Sequence, residues 1–511
     1  MNNKNFYNVV DDFIVRNSSS KTLAKTAFID SNKSISYENL FYNIKKFAFS
    51  LNKIGLKENN RILIVLEDSI DFPIAFLGSI WRGIIPICIN TMLPENDYRY
   101  MIEDSETDAI IVSSSKYQTI KNAIKKSKSK AKIIVSGNNV TSEISFDELL
   151  KEPEVIEVAN TKRDDICLWM YSSGSTGNPK GTLHTHKNLM ATANCYAKKV
   201  LKITSKDIFF SAPKLYFAYG LGNALTFPLS VGATSILMSE RPTVNSVMKV
   251  IREKKPTLFF GVPTLYASLL KENLNKNDFS SLRLGISAGE ALPAHLYKKL
   301  LSNFSLKVLD GIGTTEMLHM FISNRINKIF PGSTGVLVPG YKARLIKDDG
   351  TTANNNEIGE LEINGPSSAI SYWNKKEKTK NTFLKNWTRT GDKYTKNNEG
   401  VYTYCGRADD MMKVSGQYVS PFEVEAALQK HTSVFEAAVV ANKDENDLIK
   451  PKAFIVLNDN YEQSKQLELE LTNHVKSVLT PFKYPRWYEF VDDLPKTSTG
   501  KIQRYKLRKI E

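Results

Sequence analysis

Cysteine is scarce and scattered: Cys88, Cys167, Cys195 and Cys405 are the four in 511 residues, and no two stand in a CxxC pair. The six histidines add no zinc-ligand spacing to them, so a disulfide scaffold and a structural zinc site are both excluded. A reducing, cytoplasmic setting is the expectation. Long apolar runs are also missing. The longest, near Phe72–Ile89, is broken by Arg82 and falls short of the roughly 18 residues that a membrane span needs. Met1–Ser20 lacks the apolar core of a signal peptide. There is no Walker A loop, since the residue five after Gly174 is Pro179, which argues against a P-loop ATPase. No repeat of short fixed period is present.

What is present is an ordinary globular composition. The hydrophobic fraction is 41% and the charged fraction 24%, so most of the chain is not disordered. At roughly 150 residues per domain the length suggests about three domain-sized units, or one large body carrying a smaller unit. Lys and Arg number 69 against 54 Asp and Glu, a net +15, yet Asp409–Glu511 holds 15 basic and 16 acidic residues. The excess therefore sits ahead of that segment. A basic surface suits nucleic acid, anionic lipid or a phosphorylated small molecule. No nucleic-acid motif accompanies it, and the expected partners are small molecules, with no nucleic acid and no membrane. The densest run, Lys121, Lys125, Lys126, Lys128, Lys130 and Lys132, reads as the polar face of one helix between the strands Ala109–Val112 and Ile133–Val135.

Periodicity gives an alternating order. Leu40, Ile44, Phe47 and Leu51 lie at spacings of four, three and four, one face of a helix, with Gly55 as its stop and a buried strand Arg61–Leu66 directly after. Strand and helix alternate again through residue 135, as α/β folds do. Near residue 400 the texture changes. Lys393–Gly400 is polar and turn-rich, then come a strand Val401–Cys405, a helix Phe422–Lys430, strands Val434–Ala441 and Ala453–Leu457, a helix Glu462–Val478 and a strand Trp487–Val491. The boundary is placed at Arg407–Asp410, giving a large α/β body over 1–408 and a small α+β domain over 409–511. A small domain on a large body suits a site that must open and close.

The most informative stretch is Tyr171-Ser172-Ser173-Gly174-Ser175-Thr176-Gly177-Asn178-Pro179-Lys180-Gly181. Glycines that let backbone N–H groups come close, hydroxyl donors and one ammonium in a short loop suit an anion. Taken alone, such a loop is more often a polar surface turn. The string resembles the phosphate-binding signature of acyl- and aryl-adenylate-forming ligases, and further matches follow in the same order. Gly311-Ile312-Gly313-Thr314-Thr315-Glu316 resembles that family's nucleotide motif and Thr390-Gly391-Asp392 its ribose motif. Gly406-Arg407-Ala408-Asp409-Asp410 resembles its hinge, and Pro495-Lys496-Thr497-Ser498-Thr499-Gly500-Lys501 its C-terminal lysine loop.

Each match then has an implied task. Ser172, Ser173, Gly174, Ser175, Thr176, Gly177 and Lys180 would hold phosphates. Gly289, Glu290, Ala291, Asp310, Gly311, Ile312, Gly313 and Thr314 would meet the nucleotide, with Asp392 and Arg407 at the ribose. Thr315 would donate to a phosphate or carboxylate oxygen, and Glu316 would hold Mg²⁺, a hard cation that prefers oxygen ligands. Lys501 would enter the site to neutralise charge growing at the α-phosphate. Singly, Glu316 could be a surface acid, Asp392 a helix cap and Arg407 half of a salt bridge.

Lys214-Leu215-Tyr216-Phe217-Ala218-Tyr219-Gly220-Leu221-Gly222-Asn223, Glu316–Phe321 and Tyr402–Arg407 together resemble the benzoate–coenzyme A ligase family, from about residue 20 to 511. On that resemblance Ala218, Tyr219, Gly313, His319 and Met320 line an acyl pocket. His319 either donates to the substrate carboxylate, closes the floor, or is bonded to backbone as a structural residue. Phe227 and Leu229 are read as core. Where benzoate-specific members carry a branched aliphatic residue beside the histidine, this chain has the more adaptable Met320, so the resemblance speaks for an aryl acid rather than for benzoate itself. The acceptor implied is coenzyme A. The small domain would turn at Asp409, Val414, Ser415 and Gly416 would line the pantetheine path, and Phe482, Lys483 and Arg486 would meet the nucleotide end. ATP, Mg²⁺ and coenzyme A are thus the expected co-substrates, and a monomer or homodimer the expected state. The competing expectation is an adenylation enzyme that delivers another small carboxylate to a carrier protein or an amine. An acid to pair a substrate ammonium would mark the amino-acid version, and Leu215–Leu225 contains none.

Overall fold

The helix expected over Leu40–Leu51 runs Tyr37–Lys53, begun by Ser36, whose side chain accepts from Asn39 N. All four of its periodic apolar residues are fully buried, and the chain turns away at Gly55 with φ +90°. This computed structural model describes residues 6–137, 142–172, 178–414, 417–446, 448–480, 483–496 and 502–508.

The strand Arg61–Val65 that follows is central to the first sheet. Ile85–Cys88 and Ala109–Ser113 flank it in parallel, with Ile166–Ser172 and Lys132–Ser136 next outward. These are near-continuous aliphatic runs, as a parallel sheet covered by helices on both faces requires. Ile166–Ser172 then turns back as an antiparallel hairpin with Lys180–Thr185, which sets Ser172 directly opposite Lys180. The short strand Ser371–Tyr372 pairs with the outer side of that hairpin.

A second sheet carries the parallel strands Ile208–Ser211, Thr234–Ile236, Leu258–Gly261, Leu284–Ser287 and Val308–Gly313, with Met320–Ser323 returning antiparallel to the last. A third is antiparallel and includes Gly359–Asn364, Trp387–Lys396 and Tyr402–Arg407. Two sequence readings change here. Lys393–Gly400 is a turn only over its second half: Lys393 and Tyr394 are ladder-paired on both sides and Thr395 and Lys396 on one, and pairing overrides their polar composition. The Lys-rich helix spans Tyr117–Lys126. Ser127 closes it, and Lys132 already opens the next strand.

Beyond Arg407 lies an α+β unit. Helices Pro421–Leu428 and Lys465–Val478 pack on the strands Val434–Lys443, Ile449–Leu457 and Trp487–Phe490. Val424, Leu428, Val439, Ile455, Leu471 and Val475 form a core of its own. Arg504 in the last short helix reaches back to Glu425 with bonds of 2.9 Å to both oxygens, the pair being buried. Arg508 pairs with Asp410. Lys271 of the body sits over the Phe435 ring of this unit at 3.2 Å. Among the described residues no helix is long and apolar enough to cross a membrane.

Candidate active site

The hairpin delivers the first two groups. Ser172 Oγ donates to Glu316 Oε1 at 3.2 Å. Lys180 Nζ lies 4.3 Å from the centre of the Tyr372 ring. Burial lowers the Lys180 pKa, Glu316 opposes that shift, and Lys378 and Arg407 add to it. Lys180, Lys378 and Arg407 thus lie close to one another, with Glu316 beside Lys180 and Asp392 beside Arg407, a clustering of cations that suits a polyphosphate. Ser173, Gly174, Ser175, Thr176 and Gly177 lie outside the described residues.

Glu316 stands on a short 3₁₀ turn, Thr315–Met317, entered from the strand Val308–Gly313. Thr314 caps the turn by accepting from Met317 N. Tyr372 OH donates to Glu316 Oε1 at 2.7 Å. His184 Nε2 lies 2.8 Å from the Thr315 carbonyl oxygen, and Ala369 N donates to the carbonyl of Glu316 at 2.8 Å. Burial lowers His184 to about 4, so the ring is neutral and Nε2–H is the donor. Among the described residues both side-chain donors on Glu316 use Oε1. Oε2 is therefore available to a hard cation, and the donor chemistry fits Mg²⁺.

Asp392 and Arg407 are register partners in neighbouring strands. Arg407 Nη1 donates to Asp392 Oδ1 at 3.0 Å and to the Thr390 carbonyl at 2.9 Å. Asp392 holds the guanidinium firmly protonated, and Asp409 adds to this. Gly391, at φ +73°, permits the contact: a Cβ there would lie 2.8 Å from Arg407 Nη2. Gly289, Glu290 and Ala291 form the loop after Leu284–Ser287, and Asp310 is the register partner of Ser287. Burial raises the Asp310 carboxyl well above the usual range, and its Oδ1 has no hydrogen-bond partner among the described residues. Gly311, Ile312 and Gly313 continue that strand, with Gly313 exposed.

The aromatic segment is pinned from below. Asp68, fully buried and raised to about 6 by burial, accepts from Leu215 N at 3.1 Å. Lys214 Nζ donates to the carbonyls of Met238 and Glu240. Ala218–Leu221 is a short helix that passes into a π-helical turn, Gly222–Thr226. Tyr219 OH donates to the Ile286 carbonyl at 3.2 Å. His319 Nε2 lies 3.0 Å from Asn223 Oδ1, and its ring packs 4.5 Å from Phe227, 5.4 Å from Tyr196 and 5.6 Å from Tyr219. Burial lowers its pKa to about 3. His319 is thus a neutral ring held against Asn223 and three aromatic rings. Phe227 and Leu229 are core, as expected. Met320 is buried with its Sδ against Gly311, in the apolar cluster that Tyr219 joins, whereas Ala218 packs against a different one.

The C-terminal candidates are dispersed. Val414 is buried in the ribbon strand Met412–Val414. Lys483 bonds both oxygens of Glu423 at 2.7 Å. Arg486 stacks 3.4 Å from the Tyr484 ring centre and donates to its carbonyl. Both cations already have partners inside the unit. Asp409 lies in the turn after Arg407. Ser415, Gly416, Phe482 and Lys501 lie outside the described residues. The base of the lysine loop is closed by a bridge between Lys496 and Ile502 and by Gln503 N on the Pro495 carbonyl at 2.7 Å. Four contributors escaped the sequence reading: Tyr372, His184, Asn223 and Asp68. Asp68 follows a predicted strand and Asn223 ends the aromatic segment, the two local signals among them.

A phosphate-suited hairpin facing a carboxylate turn, with an Asp–Arg pair nearby and a separate small α+β domain, defines a class of two-domain α/β enzymes that handle a phosphorylated substrate. The chain belongs to the AMP-binding enzyme family: that family's model matches residues 15–373, and the model of the AMP-binding enzyme C-terminal domain matches 423–501. The benzoate–CoA ligase of Thauera aromatica is 50% identical over 508 residues, covering 98% of this chain and 96% of that one. A crystal structure of a benzoate CoA ligase from Burkholderia xenovorans superposes with a TM-score of 0.92 at 44% identity, over 98% of this chain and all of the other. An anthranilate CoA ligase in complex with anthranoyl-AMP gives a TM-score of 0.94 at 37% identity, over 98% and 97%.

Proposed function

We propose that this protein is an AMP-forming acid–thiol ligase that activates an aromatic carboxylate, benzoate or a close analogue, with MgATP and transfers the acyl group to coenzyme A. The observation that carries this is the convergence of Ser172 and Lys180, from the hairpin, on Glu316, which stands in the turn between the two strands that also leads to His319 and Met320. The acid's carboxylate attacks the α-phosphorus and pyrophosphate leaves. Residues 172–177 and Lys180 bind the phosphates, and Asp392 with Arg407 binds the ribose. Glu316 would hold Mg²⁺, which when bound offsets phosphate charge. Lys501 counters the charge that grows at the α-phosphate. The half-buried ring of Tyr219 and the buried rings of Phe227 and His319 keep water from the aryl group, and His319, being neutral, adds no charge beside the carboxylate.

The thiolate of coenzyme A then attacks the acyl carbon and AMP leaves. For this step we place the division of the chain at 408/409, with rotation at Asp409 bringing Val414, Ser415 and Gly416 to the site. Lys483 and Arg486 would meet coenzyme A by sharing themselves with Glu423 and Tyr484. Free buried cysteines at all four positions suit a cytoplasmic enzyme.

Pyrophosphate release with MgATP tests the reading, across benzoate, hydroxy- and aminobenzoates, cyclohexane carboxylate and short fatty acids, with and without coenzyme A. Release that depends on an aryl acid and turns over only with coenzyme A is expected. A single turnover unaffected by coenzyme A would move the acceptor to a carrier or an amine, and silence across the panel would refute the reading. Lys501→Ala should cripple adenylate formation while sparing thioester formation from supplied adenylate; equal loss in both would remove that role.

A further inference from the structure

Tyr372 lies outside every motif discussed above, yet it touches both halves of the phosphate site. Its hydroxyl donates to Glu316 Oε1 at 2.7 Å, and its ring face carries Lys180 Nζ at 4.3 Å. Ser172 donates to the same oxygen, so two donors load Oε1. The tyrosine is itself held tightly. It pairs with Thr182 as an edge strand, and its neighbour Trp373 donates from its backbone N to the Gly181 carbonyl and from its indole to the Asp104 carbonyl, both at 2.8 Å. The Trp373 ring lies 4.6 Å from that of Trp169.

We propose that Tyr372 is a positioning residue for adenylate formation: its hydroxyl fixes the Glu316 carboxylate so that Oε2 faces the metal of MgATP, and its ring seats the Lys180 ammonium for the phosphates. This rests on the reading of Glu316 as the magnesium ligand. The two tasks belong to different parts of the side chain and can be separated. Tyr372→Phe keeps the ring and removes the donor; Tyr372→Leu removes both. Calorimetric titration of Mg²⁺ into enzyme with α,β-methylene-ATP, and the Mg²⁺ dependence of pyrophosphate release, read the first task. The KM for ATP at saturating Mg²⁺ reads the second.

Tyr372→Phe should raise the Mg²⁺ requirement in both measurements by about tenfold, the scale of a lost partner behind a metal ligand, with the KM for ATP unchanged. Tyr372→Leu should add a rise in that KM of about fivefold, the scale of a partly buried cation–π contact. Thioester formation from supplied aryl-adenylate should stay at the wild-type rate in both, which also shows that they fold. Unchanged Mg²⁺ dependence in Tyr372→Phe, or equal loss in the supplied-adenylate reaction, overturns the proposal. Glu316→Gln separates the two layers: a shift there without one in Tyr372→Phe sinks the positioning role alone, and no shift in either removes the metal reading with it.

Discussion

Gly222 is packed directly against the His319 ring. A Cβ on it would stand 2.4 Å from His319 Cδ2 and 2.8 Å from Nε2, with Phe227 behind the ring. An alanine must therefore push His319 off Asn223. Gly222→Ala should cost about 1–3 kcal/mol of stability, as overpacking does, and raise the KM for the acid while that for ATP holds; equal acid affinity in the variant would show that His319 does not shape the pocket. At this scale the sequence was legible wherever chemistry and chain neighbourhood coincide. Ser172, Lys180 and Glu316 sit in strings whose glycines and hydroxyls announce an anion. Tyr372, His184 and Asn223 carry no such mark, because each acquires its role only when a strand or turn from elsewhere in the chain is laid against it.

Elements were legible where one face is apolar. The helix Tyr37–Lys53 and the α+β order after Arg407 follow from periodicity within a few residues. The strand Trp387–Lys396 was hidden by polar side chains, since its pairing on both edges, and not its own hydropathy, makes it a strand. The short helix Arg504–Leu507 was hidden too, in a run dense in Lys and Arg; Arg504 is buried and bidentate on Glu425. Arg504→Met leaves that carboxylate buried without its cation, so a loss of about 3–5 kcal/mol is expected. Chemical denaturation followed in the C-terminal unit would check it, and a loss below about 1 kcal/mol, the range of an exposed pair, would show the contact to be ornamental.

For the molecule as a whole, His186 joins distant parts of the chain: it heads the helix His186–Thr192 while its Nδ1 accepts from Val9 N at 3.2 Å. Burial lowers it to about 4, below the ordinary 6.5. The unfolded chain therefore takes up this proton first as pH falls, and stability from this residue, intact above 6.5, drains away down to 4 by up to about 3 kcal/mol. Asp68, raised to about 6, has the opposite sign: its contribution is lost as pH rises from 3.8 through 6. His186→Gln should thus be less stable than wild type at pH 7.5 and close the gap by pH 4.5, as read by urea midpoints; a gap independent of pH would rule this out. The bond between Arg508 and Asp410 has a mechanical consequence. Joining two residues 98 positions apart, it clasps the far end of the C-terminal unit to its neck. In the proposed rotation at Asp409, the base of the lysine loop between Lys496 and Ile502 would swing as a crank swings its pin, in fixed gear with the neck.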